Sequence, residues 1–247
     1  MTAVQKITLP LLLVGFKTYI EATGENATKL ARIARKVSEK TDICIIPIPQ
    51  FTDIATITRQ VGIPVFAQHI DPIEPGSFTG HVLPEAVRGA GAVGTLLNHS
   101  EKKLRLNEIE AAIRRSREVG LISCVCTDNP RVSAIVAGFD PDMILIEHPQ
   151  LIGTGRPISK VKPELITKTL QSVKRVNPDV HLICGAGITG GADVVAALDL
   201  GMAGIGAGSA IVKASDSFRV MMELAQALKS EWSHKRIRIY PPKQASG

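Results

Sequence analysis

The sequence predicts a single (β/α)8 barrel, and three observations support this fold class. Short runs rich in Val, Ile and Leu alternate with amphipathic stretches, the alternation repeats eight times, and 247 residues suit a barrel of eight such units. Runs that are apolar on both faces are typical of parallel strands covered by helices. Because no linker or low-complexity segment divides the chain, we expect one domain over residues 1–231.

The predicted strands are the apolar runs bounded by turn residues. In chain order they are Leu11–Phe16, Ile43–Ile48, Pro64–Gln68, Val93–Asn98, Ser123–Thr127, Met143–Glu147, His181–Cys184 and Ala203–Ala207.

Amphipathic stretches after these runs predict eight helices that cover the outside of the sheet. In the fourth, apolar Ile109 and Ile113 recur at helical spacing and segregate from charged Glu108 and Arg115. The predicted helices are Glu25–Lys40, Ile54–Gln60, Pro84–Ala90, Leu106–Val119, Arg131–Ala137, Pro163–Val176, Gly191–Leu200 and Ser217–Lys229.

The composition excludes several classes of protein. With 45% hydrophobic and 21% charged residues, the chain is neither disordered nor collagen-like. The apolar run Leu9–Phe16 lies between Lys6 and Lys17 and is too short to span a bilayer, so we expect no membrane association. The 4 cysteines show no CxxC or zinc spacing, which favours reduced thiols and a cytoplasmic location.

The net charge of +6 favours an anionic partner. Only 4% of residues are aromatic, which leaves few surfaces for stacking bases, so a small phosphorylated metabolite fits better than nucleic acid. Part of the charge lies in residues 232–247, which lack helical periodicity and contain Pro241-Pro242. We interpret this segment as a mobile basic tail, the alternative being a tail that packs on a neighbouring subunit.

Polar residues at the carboxyl ends of the predicted strands are the candidates for chemistry, because barrel enzymes place their active groups there. Lys17 follows the first strand, His99 and Glu101 follow the fourth, and Glu147 ends the sixth. These side chains supply a cation, a polarising group, an anionic partner and a base. A glutamate in this position can abstract a proton next to a carbonyl if a closing loop excludes water.

Glycine-rich turns follow the last two strands, at Gly185-Ala186-Gly187 and Gly206-Ala207-Gly208-Ser209. Their backbone N–H groups are suited to holding a phosphate. Gly153-Thr154-Gly155 lies soon after Glu147 and predicts the hinge of a closing loop.

Together these motifs resemble those of triosephosphate isomerases of the archaeal type, whose fold is the TIM barrel. The resemblance covers roughly residues 7–230 and rests on four motifs in the same order: Gly15-Phe16-Lys17, Asn98-His99-Ser100-Glu101, Glu147 with Leu151-Ile152-Gly153-Thr154-Gly155, and Cys184-Gly185-Ala186-Gly187. It implies interconversion of glyceraldehyde 3-phosphate and dihydroxyacetone phosphate through an enediolate, with no cofactor and no metal.

The resemblance also implies a role for each residue. Glu147 is then the base and His99 the neutral electrophile, kept neutral by a helix that starts at Ser100 and Glu101. Lys17, paired with Glu101, stabilises the enediolate, and the loop Pro149–Gly155 is the lid. Substrate and phosphate are then held at Gly15, Phe16, Lys17, Ile152, Gly153, Gly187, Gly208 and Ser209.

A homo-oligomer, either dimer or tetramer, follows from the same resemblance. His69 and His81 flank a loop that resembles the third βα loop of the family, which packs on another subunit. We therefore interpret this loop as a subunit contact and not as a metal site.

Several positions depart from the family pattern, among them Ser209 where many members have glycine and Gln150 where an acidic residue is common, and two bear directly on the chemistry. Gly15 stands where the family has asparagine, and the loss of one hydrogen bond to substrate corresponds to about 1–3 kcal/mol, or roughly ten- to a hundredfold in rate. His148 stands where the family has proline, which stiffens the hinge beside the base.

Two alternatives to an ordinary isomerase therefore stay open. One is a paralogue that binds another phosphorylated aldose or ketose, or that turns over little. The other is a non-catalytic barrel whose basic tail recruits an acidic partner such as RNA.

Overall fold

The computed structural model describes residues 7–232 and 237–238, which form a (β/α)8 barrel, so the predicted fold class is confirmed. Every strand pair in the ladder of the eight-stranded sheet is parallel. We number them β1 Leu11–Gly15, β2 Cys44–Ile48, β3 Phe66–Ala67, β4 Gly94–Leu97, β5 Ile122–Thr127, β6 Met143–Ile146, β7 His181–Cys184 and β8 Gly204–Ala207.

The principal helices surround the sheet. They are α1 Glu25–Thr41, α2 Phe51–Gln60, α3 Pro84–Gly89, α4 Leu106–Glu118, α5 Pro130–Gly138, α6 Pro163–Val176, α7 Gly191–Asp199 and α8 Ser217–Glu231. Shorter helical segments occur at Ile20–Ala22, Pro149–Leu151, Ile158–Val161 and Ser209–Val212. Among the described residues, no helix combines the length and the apolar character that crossing a membrane requires.

Alternation along the strands divides the core into two parts, because successive side chains of a strand point to opposite faces. Leu11 and Leu13 of β1 pack inside the barrel, in a cluster that also contains Phe66 of β3. Leu12 and Val14 pack outside, between the sheet and the helices. Both faces of β1 are therefore buried, as the continuous apolar run predicts.

The sheet is nearly closed. Its hydrogen-bonded ladder runs from β2 through β1 and β8 round to β3. At the junction between the two ends of the ladder, the Gln68 side chain donates from Nε2 to the Ile48 carbonyl oxygen at 3.3 Å. The strands consequently present their carboxyl ends at one rim, where the candidate site residues lie.

Thr8–Leu9 pairs antiparallel with Ile237–Arg238, two residues of the predicted tail. Trp232, where that segment begins, packs against the cluster inside the barrel. The prediction of a mobile tail otherwise falls on residues 233–236 and 239–247, which lie outside the described residues.

Candidate active site

A cavity of about 280 Å³ opens at the carboxyl ends of the barrel strands. The side chains of Lys17, His99, Glu101 and Glu147 line it, together with glycine-rich turns. The parallel strands bring these groups together although 130 positions separate the first from the last. The cavity is large enough for a small metabolite.

Glu147 lies at the mouth of the barrel, directly after β6. Its N–H donates to the Thr127 carbonyl at 2.9 Å, and its carboxylate oxygen Oε2 lies 3.1 Å from His99 Nε2. Burial, and next the negative charge of Glu147, raise the pKa of the Cys126 thiol. A Cβ on Gly185 would lie 2.8 Å from Glu147 Cγ, so the absence of a side chain at position 185 is what gives the carboxylate its room.

His99 follows Asn98, a non-glycine residue in the left-handed conformation with φ of +57°. The Asn98 side chain pins this turn, donating to the Cys126 carbonyl at 2.9 Å and accepting from the Leu104 N–H at 2.9 Å. Such strained backbone is held where the surrounding contacts determine it, which is common at functional sites.

Two influences on the protonation of His99 oppose each other. The N–H of Glu101 donates to Nδ1 at 3.3 Å, which favours the neutral ring with its proton on Nε2. Burial also disfavours the charged form, but the hydrogen bond and the charge of Glu147 outweigh it, so the pKa of His99 is raised above its usual value.

The expected helix at Ser100 and Glu101 is wrong. These residues form a turn in which the Lys102 N–H donates to the His99 carbonyl at 2.8 Å, and α4 begins only at Leu106. The Glu108 carboxylate accepts from the Arg105 N–H at 2.7 Å and so caps the helix there. The neutral form of His99 is therefore favoured by one backbone N–H, not by a helix terminus.

Lys17 is held from both ends. Its ammonium lies 2.6 Å from Glu101 Oε1, and its carbonyl accepts from the Gln68 side chain at 2.8 Å. Its φ of +49° is again left-handed. The contacts with Glu101 and Gln68 hold the ammonium at the rim of the cavity.

The segment after Glu147 folds back over the rim. Leu151 is buried, whereas Gly153, Thr154 and Gly155 are exposed, and both glycines have positive φ. Lys162 Nζ lies 2.8 Å from His148 Nε2, and because an ammonium only donates, His148 accepts. The first hinge of this segment is thereby tied to the start of α6.

The sequence profile of the triosephosphate isomerase family matches residues 10–227. The curated triosephosphate isomerase of Methanocaldococcus jannaschii is 49% identical over 214 residues, which cover 87% of this chain and 98% of the relative. The chain belongs to the triosephosphate isomerase family. The enzyme of Methanobacterium bryantii is 47% identical over 219 residues, covering 89% and 97%.

The fold of the chain also matches a solved triosephosphate isomerase. The crystal structure of the Bartonella henselae enzyme superposes with a TM-score of 0.71 at 16% identity, over 88% of this chain and 98% of that one. At this identity the likeness supports the barrel alone. The predicted family and fold are thus confirmed.

All but one of the residues to which the resemblance assigns a catalytic or binding role line the cavity. They are Gly15, Lys17, His99, Glu101, Glu147, Ile152, Gly153, Gly187, Gly208 and Ser209. Phe16 is the exception, because its side chain is fully buried in the core between sheet and helices. The side chain of Phe16 therefore supports the rim from behind.

The strand-end rule, applied equally to the third strand, would have found Gln68 and His69, which also line the cavity. His69 is buried and lies 3.0 Å from Asp71 through its Nε2. Burial lowers the pKa of His69 although Asp71 acts in the opposite direction. Within residues 7–232 and 237–238, no group of three or more His, Cys, Asp or Glu is arranged to hold a metal ion.

The four cysteines are buried free thiols. Burial raises the pKa of Cys184 to about 12, so this thiol stays protonated at neutral pH.

We expect Glu147→Gln to lower the pKa of His99, because the carboxylate is the group that raises it. Since the pKa of His99 is higher in the folded protein than its ordinary 6.5, the His99–Glu147 pair stabilises the fold below pH 6.5 and ceases to do so as the pH rises through the folded pKa. An NMR titration of the imidazole resonances measures the shift, with His69 as internal control. An unchanged His99 titration contradicts this account.

Proposed function

We propose that this protein interconverts D-glyceraldehyde 3-phosphate and dihydroxyacetone phosphate through an enediolate. The observation that carries the proposal is the pairing of Glu147 with His99, 3.1 Å apart, in a cavity that Lys17 also lines. The curated relatives that bear the name triosephosphate isomerase match this chain over nearly their whole length.

Glu147 is the base in this reaction. Its carboxylate removes a proton from the carbon next to the carbonyl, and returns that proton to the neighbouring carbon. His99 donates a hydrogen bond from Nε2 to the carbonyl oxygen and polarises the carbonyl. In the enediolate the proton of the neighbouring hydroxyl passes through the imidazole to that oxygen, so that one hydroxyl is lost and one is formed. A substrate that lies between Glu147 and His99 separates the two side chains and removes the contact that raises the pKa of His99. The imidazole is then neutral, with Nδ1 accepting from the Glu101 N–H.

Lys17 stabilises the negative charge that develops on the enediolate. Backbone N–H groups of Gly187, Gly208 and Ser209, with those of Ile152 and Gly153, bind the phosphate. The segment Pro149–Gly155 closes as a lid, which keeps water from the enediolate and limits loss of phosphate. The chemistry uses protein groups only and calls for neither a metal nor a cofactor.

Glu147→Gln tests the reaction and the base together. We expect the isomerisation of glyceraldehyde 3-phosphate to fall by roughly 10²- to 10⁴-fold, because the amide does not accept the proton. Wild type and variant are purified side by side, so that contaminating host isomerase appears equally in both. Equal rates in the two preparations contradict the proposal.

Substitutions at Gly15 and His148 test whether the pocket has reduced activity on the triose phosphate or accepts a different substrate. A Cβ on Gly15 meets nothing closer than the Ala207 carbonyl at 3.9 Å, so the backbone leaves room for the Cβ of an asparagine. If it restores one hydrogen bond to substrate, we expect Gly15→Asn to raise kcat/KM by roughly ten- to a hundredfold.

His148→Pro removes the contact with Lys162 and needs φ to move from −97° to about −65°. We therefore expect it to raise kcat/KM by less than Gly15→Asn does. Steady-state kinetics of both single variants and of the double variant measure these effects. No gain in any variant favours a pocket adapted to another phosphorylated aldose or ketose, or to binding with little turnover.

We further propose a cytoplasmic homo-oligomer, either dimer or tetramer. Buried free thiols are typical of a reducing compartment. The loop 72–81 is anchored at its two ends, since the Val82 N–H donates to Asp71 Oδ2 at 2.6 Å and Arg115 donates to the Ile73 carbonyl at 3.0 Å. Its tip exposes Phe78, an apolar side chain suited to contact with a second copy.

Phe78→Asp places a charge on this loop, and we expect it to shift the protein towards smaller species in sedimentation velocity. Far-UV circular dichroism checks that the variant stays folded. An unchanged sedimentation coefficient contradicts a subunit contact through this loop.

A further inference from the structure

Asp193, in the first turn of α7, is a buried carboxylate that gathers four donors. Its Oδ2 accepts from the Thr189 N–H at 2.9 Å, the Thr189 hydroxyl at 3.0 Å and the Gly190 N–H at 3.2 Å. Its Oδ1 lies 2.7 Å from Lys160 Nζ. Burial alone raises the pKa of a carboxyl, but Lys160 and the other donors outweigh it and lower the pKa of Asp193, so the group is ionised at neutral pH.

The partners of Asp193 belong to two different parts of the site. Thr189 and Gly190 end the turn after β7, which contains Gly187 in the cavity wall. Lys160 belongs to the short helix Ile158–Val161, which directly follows the lid. One carboxylate therefore joins the proposed phosphate-binding turn to the far end of the lid.

The turn and the end of the lid also interlock directly. The Arg156 carbonyl occupies the place that a Cβ on Gly187 would take. The Ile158 N–H donates to the Ala186 carbonyl at 3.3 Å, and the Ser159 hydroxyl donates to the Asp193 carbonyl at 3.4 Å. A small displacement of the short helix would thus move the backbone of Gly187.

We propose that Asp193 and Lys160 are positioning residues for the phosphate of the substrate: their ion pair holds the turn that carries Gly187 against the short helix Ile158–Val161, which follows the lid. This inference rests on the proposed function, since it concerns the same substrate. In this proposal the Asp193 carboxylate does not contact the phosphate. It fixes the position of the Gly187 backbone N–H, which does.

Substitution of Lys160 distinguishes the proposed positioning role of Asp193 from its ordinary role in capping α7. The bonds of Asp193 to Thr189 and Gly190 satisfy the first turn of α7 without any lysine. The Lys160 side chain is half exposed, and ion pairs of this kind add little to the stability of a fold. A change at Lys160 therefore affects substrate binding with little effect on the melting temperature.

The test compares Lys160→Met, Lys160→Arg and Asp193→Asn with wild type in the isomerase assay. We expect Lys160→Met to raise KM for glyceraldehyde 3-phosphate by about three- to tenfold with kcat within about twofold, and Lys160→Arg to behave as wild type. Asp193→Asn should raise KM at least as much. The double variant Lys160→Met/Asp193→Asn should be no worse than Asp193→Asn alone, because the two residues act as one unit.

Lys103→Met is the matched control. Lys103, in the loop between β4 and α4, lies 3.1 Å from Asp128, just before α5. This ion pair also joins a loop to the start of a helix, but neither of its residues belongs to the lid. We expect its KM to stay within about twofold of wild type. Thermal unfolding of every variant monitors stability in parallel.

Hydrogen exchange supplies a measurement that does not depend on turnover. The amides of residues 186–190 should exchange faster in Lys160→Met than in wild type or Lys103→Met. Unchanged KM and unchanged exchange in Lys160→Met overturn the positioning role while leaving the isomerase intact. If wild type does not turn over the triose phosphate, the proposed function fails, and the exchange data alone decide whether Lys160 holds the turn.

Discussion

The structure of the site depends on keeping one buried carboxylate beside one imidazole. A charged carboxylate out of water is costly unless it has a partner, and Glu147 has His99 at 3.1 Å. The missing side chain of Gly185 leaves space for the carboxylate on one side. On the other, the side chain of Asn98 fixes the turn before His99. The barrel supplies the ends of β4, β5, β6 and β7 from which these groups come.

The sequence predicted what depends on local pattern. A strand that is apolar on both faces implies a parallel sheet covered by helices, and parallel strands bring Lys17, His99 and Glu147 to one rim whatever their separation along the chain. Boundaries moved by a residue or more, as at α2, which begins at Phe51 and not at Ile54. The family motifs then assigned chemistry to side chains that the fold alone would have left unassigned.

What the sequence did not predict depends on contacts between loops. The hydrogen bond from Gln68 to the Lys17 carbonyl joins residues 51 positions apart. The ion pair of Lys160 with Asp193 joins two segments that no sequence periodicity relates. Neither residue type signals its partner, since glutamine at a strand end and aspartate at a helix start are both common. The prediction that a helix starts at Ser100 and Glu101 was wrong for a similar reason. The helix begins after Arg105 because the Glu108 side chain reaches back to the Arg105 N–H, and the sequence pattern does not show this contact.

The two departures from the family pattern leave the Glu147–His99 pair intact and act around it. Gly15 widens the cavity beside Lys17, where a side chain would otherwise approach the substrate. His148 replaces the stiffness of a proline with a polar contact to Lys162, which follows the same short helix that Lys160 ties to α7. The start of the lid is thus tied to Lys162, and the short helix that follows the lid is tied to α7 through Lys160. In the proposed mechanism, proton transfer and the holding of the lid therefore depend on separate sets of contacts, so we expect a change in the contacts of Lys160 or His148 to alter substrate binding without disturbing Glu147.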